Sequence, residues 1–365
     1  MNLVSRVFTA LLAPLVAVVA ATMVTSVVIT ASGSSAADFW EVILSAPADR
    51  SYVNIVNQAS MIFLSALAAA VGFRMNLFNI GVEGQYIVAS YVAAVFAGAA
   101  YLTGALNIIA SLLIAMVVGA LWAGIAGVLK VTRGVSEVIS TIMLNAIGAT
   151  IAGYLLNTYG ERLGNSRRTT VIPESSQLDG WTLFAERDGA IWTLAALAVL
   201  AGLGFSFLLN KTRFGFDLRA TGMSETAAIA SGVNVRRMVV VSMMLSGAIA
   251  GLIWMPALFG SAHSYGTSFQ AGLGFTGIAV ALLGRNRPLG IVFGALLFAF
   301  LNEQSNRLTL STDISVDIVS ITQGVIVLAV VVAYEVVRRY RVAAEQRQVR
   351  QKLDSDKPSG EAVHA

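Results

Sequence analysis

Cysteine is absent from this chain, and charged residues are scarce. Without thiols there is no disulfide and no thiolate metal site, although this says little about the redox compartment. The two histidines, His263 and His364, lie far apart in sequence and do not look like a metal pair. Charged residues make up 12% of the 365 residues, whereas a soluble domain carries roughly 25%. Together with 56% hydrophobic residues and a mean hydropathy of +0.76, this deficit indicates a membrane protein.

Motifs of catalysis and nucleotide binding are missing as well. No GxxxxGK(S/T) is present, so the chain has no phosphate-binding loop of its own. Neither HExxH nor GxSxG occurs, and no nucleophile–base pair stands at a recognisable spacing. We therefore expect no catalytic residue, no metal ligand, no cofactor bound by this chain and no nucleic-acid partner.

Long apolar runs fill most of the sequence, and one membrane span uses roughly 20 residues. The pattern predicts an all-α, polytopic membrane helix bundle of about ten transmembrane segments. Two runs, 272–284 and 288–304, are short and are expected to be broken or re-entrant helices. The first run is longer than the apolar part of a secretory signal, which favours a retained signal anchor over a cleaved signal. The ten runs are 7–31, 51–72, 80–101, 104–129, 136–158, 190–209, 238–260, 272–284, 288–304 and 317–337.

Basic residues give the orientation. With the N-terminus inside, 18 of the 24 Lys and Arg residues fall in inside segments and 6 fall outside. This bias follows the positive-inside rule and places both termini in the cytoplasm. We expect residues 1–340 to form the transmembrane domain and residues 341–365 to form a polar cytoplasmic tail, helical at first and disordered at its end.

Two long loops interrupt the apolar runs. The outer loop 159–189 is polar and rich in turn formers, so it forms either a small cap, a partner contact or a solvated connector. The inner loop 210–237 contains a predicted short helix, with Ser224 as N-cap, Glu225 in the first turn and Gly232 after the end. So short a helix needs something to pack against.

Glycine is frequent within the spans. Gly247–Gly251 and Gly290–Gly294 are GxxxG pairs, and Ala120–Gly124 is a relaxed version of the same spacing. Small residues four apart let helix backbones approach closely. The pairs predict packing interfaces, either fixed or moving during a transport cycle.

The stretch FRMNLFNIGVEGQ, residues 73–85, is polar between two apolar runs. Its glycines weaken helix continuity, and Asn76, Asn79, Glu83 and Gln85 offer hydrogen-bonding groups. One interpretation is a helix that breaks and restarts beside a water-accessible path. The other is a cytoplasmic turn, with Glu83 interacting with Arg74 or with backbone N–H groups at a helix N-terminus.

Further polar residues lie inside apolar runs. Asn145 is the most convincing of these, because it is well inside its span. Glu137 follows Arg133 by four positions, which favours an interfacial ion pair. The group 302–304 is expected to cap a span at the outer surface.

Four stretches carry a family resemblance. MNLFNIGVEGQYIVAS resembles a signature of the permease subunits of bacterial ABC importers for nucleosides and simple sugars, in the wider group that includes branched-chain amino acid permeases. The other three agree with it in the family's order, and together they cover most of residues 50–335. They are GVSEVISTIMLNAIG at 134–148, FGFDLRATGMSETAAIASGVNV at 214–235 followed by SGAIAGL, and GLGFTGIAVALLGRNRPLGIVFGALLF at 272–298.

The resemblance implies the partners that the chain itself lacks. Such a permease lies in the inner membrane among lipid and binds no ATP, because ATP and Mg are bound by cytoplasmic ATPase subunits that dock on a coupling helix. An extracytoplasmic binding protein delivers the substrate to the outer loops, 32–50, 159–189 and 305–316. A second permease completes the pathway, and the sequence NIGVEGQ favours a heterodimer.

The resemblance also implies roles for particular residues. The substrates are nucleosides, with purine nucleosides favoured, or ribose-like sugars. The pathway candidates are Asn76, Asn79, Glu83, Gln85 and Asn145. The ATPase-coupling candidates are Arg219, Ser224, Glu225, Ala228 and Gly232.

The main rival is an ion-coupled secondary transporter. It needs a carboxylate near the middle of the membrane, and we expect the two candidates, Glu83 and Glu137, to lie near the inner edge. A non-transport membrane scaffold or enzyme is a second rival.

Overall fold

The computed structural model describes residues 18–185, 189–311 and 318–333, together with Val336, Arg339 and Gln346. It has two compact units, Met1–Trp40 with Asp313–Ala365, and Glu41–Thr312. The start of the first predicted span, 7–17, and the predicted tail, apart from Gln346, lie outside the described residues. The signal anchor and the disordered tail therefore stay predictions.

Each of the ten apolar runs carries a helix. A π-helical turn, Leu258–Ala262, and a 3-10 turn, Glu174–Ser176, add to the α-helices. The helices are α1 (Val18–Ala31), α2 (Ala36–Leu44), α3 (Asp49–Arg74), α4 (Val82–Gly98), α5 (Gly104–Arg133), α6 (Glu137–Tyr159), α7 (Ala195–Lys211), α8 (Arg213–Met223), α9 (Glu225–Ala230), α10 (Val235–Gly251), α11 (Met255–Ala257), α12 (Leu273–Leu283), α13 (Pro288–Ser311) and α14 (Ile318–Ala333).

Five helices are long and apolar enough to cross a membrane. They are α3, α5, α6, α10 with its continuation to Ala262, and α13. The pair α7 and α8 passes the same test but is bent by 73°, and it gives a sixth if counted as one span. The polytopic helical bundle is thus confirmed, whereas the count of ten spans stays a prediction.

The two runs expected to be short behave differently. Helix α12 has 11 residues, as the sequence predicts. Helix α13 has 24 residues, so the short or broken helix expected at 288–304 is wrong. The polar group 302–304 does not end this helix, which continues to Ser311. The Gln304 side chain donates to the carbonyls of Val42, Ile43 and Ser45.

Helix α3 is the central helix of the Glu41–Thr312 unit. In its most apolar window 89% of the residues are buried, compared with 33% in α5 and 28% in α6. Its sequence LSALAAAVG, residues 64–72, is dominated by small side chains, which let α7, α10, α12 and α13 pack against it. A polar atom that reaches this part of α3 is therefore deep in the protein.

Helices α5 and α10 meet backbone to backbone. A Cβ atom added at Gly247 would lie against the carbonyl of Gly119, and one added at Gly251 would lie 2.6 Å from the carbonyl carbon of Ala115. The pair Gly247–Gly251 is thus confirmed as a packing interface. Its closest partners on α5 are Ala115, Gly119 and Ala123. Gly124 also faces α10, since a Cβ atom added there would lie 3.3 Å from the Met244 side chain.

The outer loop 159–189 adds the only described strands. Strands β1 (Glu161–Leu163) and β2 (Ser166–Arg168) pair antiparallel, a small addition to the all-α prediction. Beyond them, Ile172 is fully buried and donates its backbone N–H to the carbonyl of His263 at 2.8 Å. Residues 169–178 of this loop therefore pack on the chain, whereas residues 161–165 and 181–185 are exposed.

Candidate functional site

The polar stretch 73–85 does break a helix. Helix α3 ends at Arg74, and α4 restarts at Val82. Between them Asn76 adopts a left-handed conformation with φ of 58°, which Asn tolerates better than most residues. The chain therefore reverses and re-enters the bundle.

Asn79 and Gln85 hold the re-entering segment together. The Asn79 amide donates to Gln85 Oε1 at 3.1 Å and to Ser246 Oγ at 2.8 Å, and Gln85 donates back to Asn79 Oδ1 at 2.9 Å. Ser246 in turn donates to the carbonyl of Ala68 on α3. Asn79 is fully buried and Gln85 is 1% exposed. This network joins α3, α4 and α10 next to the break between α3 and α4.

Glu83 reaches across to a different helix. Its carboxylate accepts backbone N–H bonds from Gly272 at 2.6 Å and Gly274 at 2.8 Å, and the Tyr86 hydroxyl lies 3.2 Å away. These N–H groups belong to the first turn of α12, where the helix dipole favours negative charge. The predicted contact with backbone N–H groups is confirmed, but the helix concerned is α12 rather than α4.

Glycine lets α12 come this close. A Cβ atom added at Gly274 would lie 2.6 Å from Glu83 Cα, and one added at Gly277 would lie 2.5 Å from Ser65 Cβ. Either distance is far below an ordinary van der Waals contact. The first turns of α4 and α12 are therefore joined by a carboxylate that only a side-chain-free neighbour can accommodate.

Asn145 supports the same layer from α6. Its Oδ1 accepts the Gly84 N–H at 2.8 Å, and its Nδ2 donates to the Ile80 carbonyl at 2.9 Å. A Cβ atom added at Gly84 would lie 2.7 Å from Asn145 Cα, so α6 and α4 cross at this point. The prediction that Asn145 is an internal polar residue is confirmed, since it is 9% exposed.

Helix α3 shows where these buried polar residues lie along the bundle. Ser65 Oγ donates to the Leu273 carbonyl at 2.7 Å, so the start of α12 lies beside Ser65. Ser65 precedes the end of α3 at Arg74 by nine residues, or about 13 Å of helix. Glu83 therefore lies beside the middle of α3 rather than beside its end at Arg74, and the expected position near the inner edge of the membrane stays a prediction. The polar centre consists of Asn79, Glu83, Gln85 and Asn145 with Ser246.

Asn76 is the exception among the pathway candidates. It is exposed and lies next to the end of α3, away from the polar centre. The sequence reasoning also missed Ser246, Gly272 and Gly274. A polar side chain within the apolar run 238–260 was the available signal for Ser246, whereas nothing local identifies which N–H groups Glu83 accepts.

Basic residues gather at one end of the bundle. The Arg74 guanidinium donates to the Asn286 carbonyl at 2.8 and 3.1 Å, and the α8 backbone at Gly222 lies against the Arg74 backbone. Glu137 accepts from Lys130 at 2.6 Å, so the expected partner Arg133 is wrong. Lys130 lies one turn earlier on the face of α5 that meets the start of α6.

The inner loop 210–237 forms two helices where one was predicted. The Ser224 side chain accepts the Ala227 N–H at 3.3 Å and caps α9, and Gly232 follows it with φ of 84°. The predicted caps are confirmed. Helix α8, which precedes α9, was not predicted, and its Arg219 guanidinium bonds the Leu209 carbonyl at the end of α7.

The exposed surface of this helix pair is partly apolar. Glu225 is exposed, whereas Ala228 is only 2% exposed and packs inside the chain. Met223 is 88% exposed and Ile229 is 61% exposed, among the arginines of the basic end. Sequence reasoning missed both, although large apolar residues in a polar loop were the signal that could have identified them.

Within the described ranges, no three His, Asp or Glu side chains come close enough together to hold a metal ion.

A multi-pass helix bundle with a buried polar centre has the architecture of a membrane transport protein. Residues 51–333 match the family described as branched-chain amino acid transport system / permease component, and the chain belongs to that family. The predicted family is confirmed, and with its apolar helices this makes the chain a multi-pass inner-membrane protein.

Several curated proteins are similar. The guanosine ABC transporter permease protein NupP of Bacillus subtilis (strain 168) is 33% identical over 340 residues, covering 89% of this chain and 94% of that protein. The nucleoside ABC transporter permease protein NupB of Lactococcus lactis subsp. cremoris (strain MG1363) is 34% identical over 161 residues, 44% of this chain and 42% of that protein. The ribose import permease protein RbsC of Escherichia coli (strain K12) is 28% identical over 155 residues, 39% of this chain and 46% of that protein.

Proposed function

We propose that this chain is a permease subunit of an ABC importer and forms the membrane pathway for nucleosides, with purine nucleosides favoured. The similarity to a guanosine permease over 89% of the chain is the observation that carries the proposal. A pathway for ribose-like sugars is the second candidate, because a ribose permease matches 39% of the chain.

The proposed topology has ten spans and cytoplasmic termini. Support comes from the grouping of Arg74, the turn at Asn286 and α8 at one end, as the positive-inside rule requires. The opposite end holds the hairpin and the loop at His263. Loops 32–50, 159–189 and 305–316 are the proposed contacts of an extracytoplasmic binding protein.

The helix pair α8–α9 is the proposed docking element for cytoplasmic ATPase subunits. Arg219 positions α8 on α7, Ser224 and Gly232 define the ends of α9, and Ala228 packs α9 onto its own chain. Glu225 is exposed and is the proposed polar contact with an ATPase subunit. The exposed side chains of Met223 and Ile229 supply apolar anchors of the kind that dominate protein interfaces.

The chain is non-catalytic in this proposal, and ATP and Mg are bound on the ATPase subunits. A second permease encloses the path, and a heterodimer is favoured, as the paired names NupB and NupC among the relatives suggest. ATP binding moves the docking element and switches the path between outward and inward access. Lipid surrounds the apolar faces of α5 and α6.

The pathway role of Asn76, Asn79, Glu83, Gln85 and Asn145 is part of this proposal. The last four support it as buried polar groups, of which Asn145 and Glu83 hold the first turns of α4 and α12. Bonded to one another and to backbone, they keep the wall of the path in shape. Asn76 would act at the inner mouth.

Uptake by the reconstituted complex tests the function. Liposomes that contain both permeases, the ATPase subunits and the binding protein should accumulate guanosine only with ATP, and ribose should compete weakly. Met223→Ala with Ile229→Ala should weaken ATPase assembly, whereas Met143→Ala, an exposed methionine on α6, should leave assembly unchanged.

Two results would contradict the proposal. Accumulation driven by an ion gradient without ATPase subunits would favour the secondary transporter. Intact assembly and uptake in both Arg219→Ala and Glu225→Ala would remove the docking role from α8–α9.

A further inference from the structure

The segment 263–272 leaves the outer end of the bundle and returns to its middle without forming a helix. Its first part is tied to the outer loop, since the Tyr265 N–H donates to Thr169 Oγ1 at 3.0 Å. Its last residue, Gly272, donates to Glu83 beside the start of α12. The segment therefore runs from the loop at Thr169 to the level of Ser65 on α3, which is fully buried.

One side of the segment is fixed to the protein. The Phe269 ring stacks on Tyr86 at 5.4 Å and lies 5.0 Å from Trp254 and 4.5 Å from Tyr265, measured between ring centroids. The Tyr86 hydroxyl donates to the Gln270 carbonyl at 2.8 Å. These contacts pack this side of the segment against α4 and against Trp254, which follows α10.

The other side is open and polar. Thr267, Ser268 and Ala271 are exposed, and Gln270 is partly exposed. Among the described residues, the side chains of Thr267, Ser268 and Gln270 have no hydrogen-bond partner, and neither do the backbone N–H groups of residues 267, 268, 270 and 271.

Lipid is excluded as the neighbour of this open side. Hydrocarbon cannot hydrogen-bond to free N–H groups, so non-helical backbone at membrane depth lies either inside protein or beside a water-filled cavity. The exposed polar side chains, free to hydrogen-bond, favour the cavity. In contrast, the exposed side chains of α5, such as Val117, are apolar and suited to lipid.

We propose that Thr267, Ser268 and Gln270 form a polar wall of the substrate path and hydrogen-bond to the hydroxyl groups of a ribosyl-containing or sugar substrate. This inference rests on the proposed transport function and adds a site to it. The wall lies outward of Glu83, so a substrate from the outer face meets it before the polar centre. Hydroxyl and amide groups suit a path that must also release its cargo.

Single-cysteine variants test the wall, because the chain has no cysteine of its own. Thr267→Cys and Ser268→Cys are labelled in the reconstituted complex with a charged, membrane-impermeant thiol reagent, and the label is located on this chain by mass spectrometry. Ser264→Cys, buried in the same segment, and Val117→Cys, on the apolar face of α5, are the controls. We expect labelling at 267 and 268, protection by guanosine, and no labelling of the controls.

The outcomes separate the two proposals. If the wild-type complex imports guanosine while 267 and 268 stay as unreactive as Val117→Cys or Ser264→Cys, the wall is refuted and the transport function stands. If they are labelled but only ribose protects them, the wall stands and the nucleoside assignment fails. If they are labelled without protection by either solute, the segment is wetted but does not contact substrate, which overturns the proposed site.

A second measurement tests the hydrogen bonds directly. Thr267→Val and Ser268→Ala keep the side-chain volume closely, and each should raise the KM of uptake by about fivefold, as expected for one lost hydrogen bond. Competition by ribose should weaken in parallel, whereas competition by free guanine should not. An unchanged KM in both variants contradicts the proposed contacts, even if both positions are accessible to water.

Discussion

Replacing Glu83 with glutamine keeps the shape of the side chain and removes its charge. In the structure one carboxylate oxygen accepts the Gly272 N–H at 2.6 Å, and the other accepts the Gly274 N–H at 2.8 Å. Glutamine has one acceptor oxygen, so its NH2 group must face one of these donors. Glu83→Gln therefore leaves one N–H of the α12 start without an acceptor, at a site where Glu83 is 6% exposed.

The magnitude follows from that loss. A hydrogen bond to a charged group contributes about 1.5–3 kcal/mol, and a negative charge near a helix N-terminus adds about 0.3–2 kcal/mol. Glutamine is neutral, so the cost of burying a charged carboxylate disappears, and this gain offsets part of the lost stability. Hydrogen bonds between membrane helices average about 0.6 kcal/mol. We expect Glu83→Gln to lower the free energy of unfolding by about 1–3 kcal/mol, or about 5- to 150-fold in the folded-to-unfolded ratio.

An unfolding titration in mixed detergent micelles, with helix content as the signal, measures this change. Glu303→Gln is the matched control, since Glu303 accepts a single exposed bond from Asn54 at 3.1 Å and should change stability by less than about 0.5 kcal/mol. If Glu83→Gln is no less stable than Glu303→Gln, the carboxylate does not hold α12 and the reasoning is wrong.

Three further substitutions can be checked in the same way. Gly247→Leu should force α5 and α10 apart and destabilise the bundle by about 1–3 kcal/mol, whereas Gly153→Leu, with open space around it, should have little effect in the same titration. Asn145→Ala should cost about 1–3 kcal/mol through the two backbone groups it leaves unpaired, with Asn157→Ala, exposed on the same helix, as its control. Gly232→Ala should strain the left-handed end of α9 by about 1–2 kcal/mol. It should also lower assembly with the ATPase subunits, measured by co-purification. Unchanged assembly would show that docking does not depend on the shape of α9.

Local chemistry explains what the sequence could predict. The break at residues 75–81 follows from glycines and asparagines between apolar runs, and the cap of α9 follows from Ser224 and Gly232. These features depend on residues a few positions apart. The same holds for Gly247–Gly251, whose spacing marks one face of a single helix.

Pairings between distant elements could not be predicted. Glu83 had several possible partners by chemistry, and only the fold brings Gly272 to it across 189 positions. The register of α5 against α10 is another case, because stripes offset by one residue look equally suitable in sequence. The choice of Lys130 over Arg133 depends on the crossing of α5 and α6 in the same manner.

The cap of α12 by Glu83 has a consequence for biosynthesis. The acceptor is made 189 residues before its donor, and a ribosome that adds about 5–20 residues per second needs roughly 10–40 s to cover that distance. During this interval α4 enters the membrane with a carboxylate whose α12 donors do not yet exist, although such groups are costly at bilayer depth. Glu83 therefore lacks both of its α12 donors until α12 has been made, and we expect chains that end before Gly272 to be less stable in the membrane than chains that include α12.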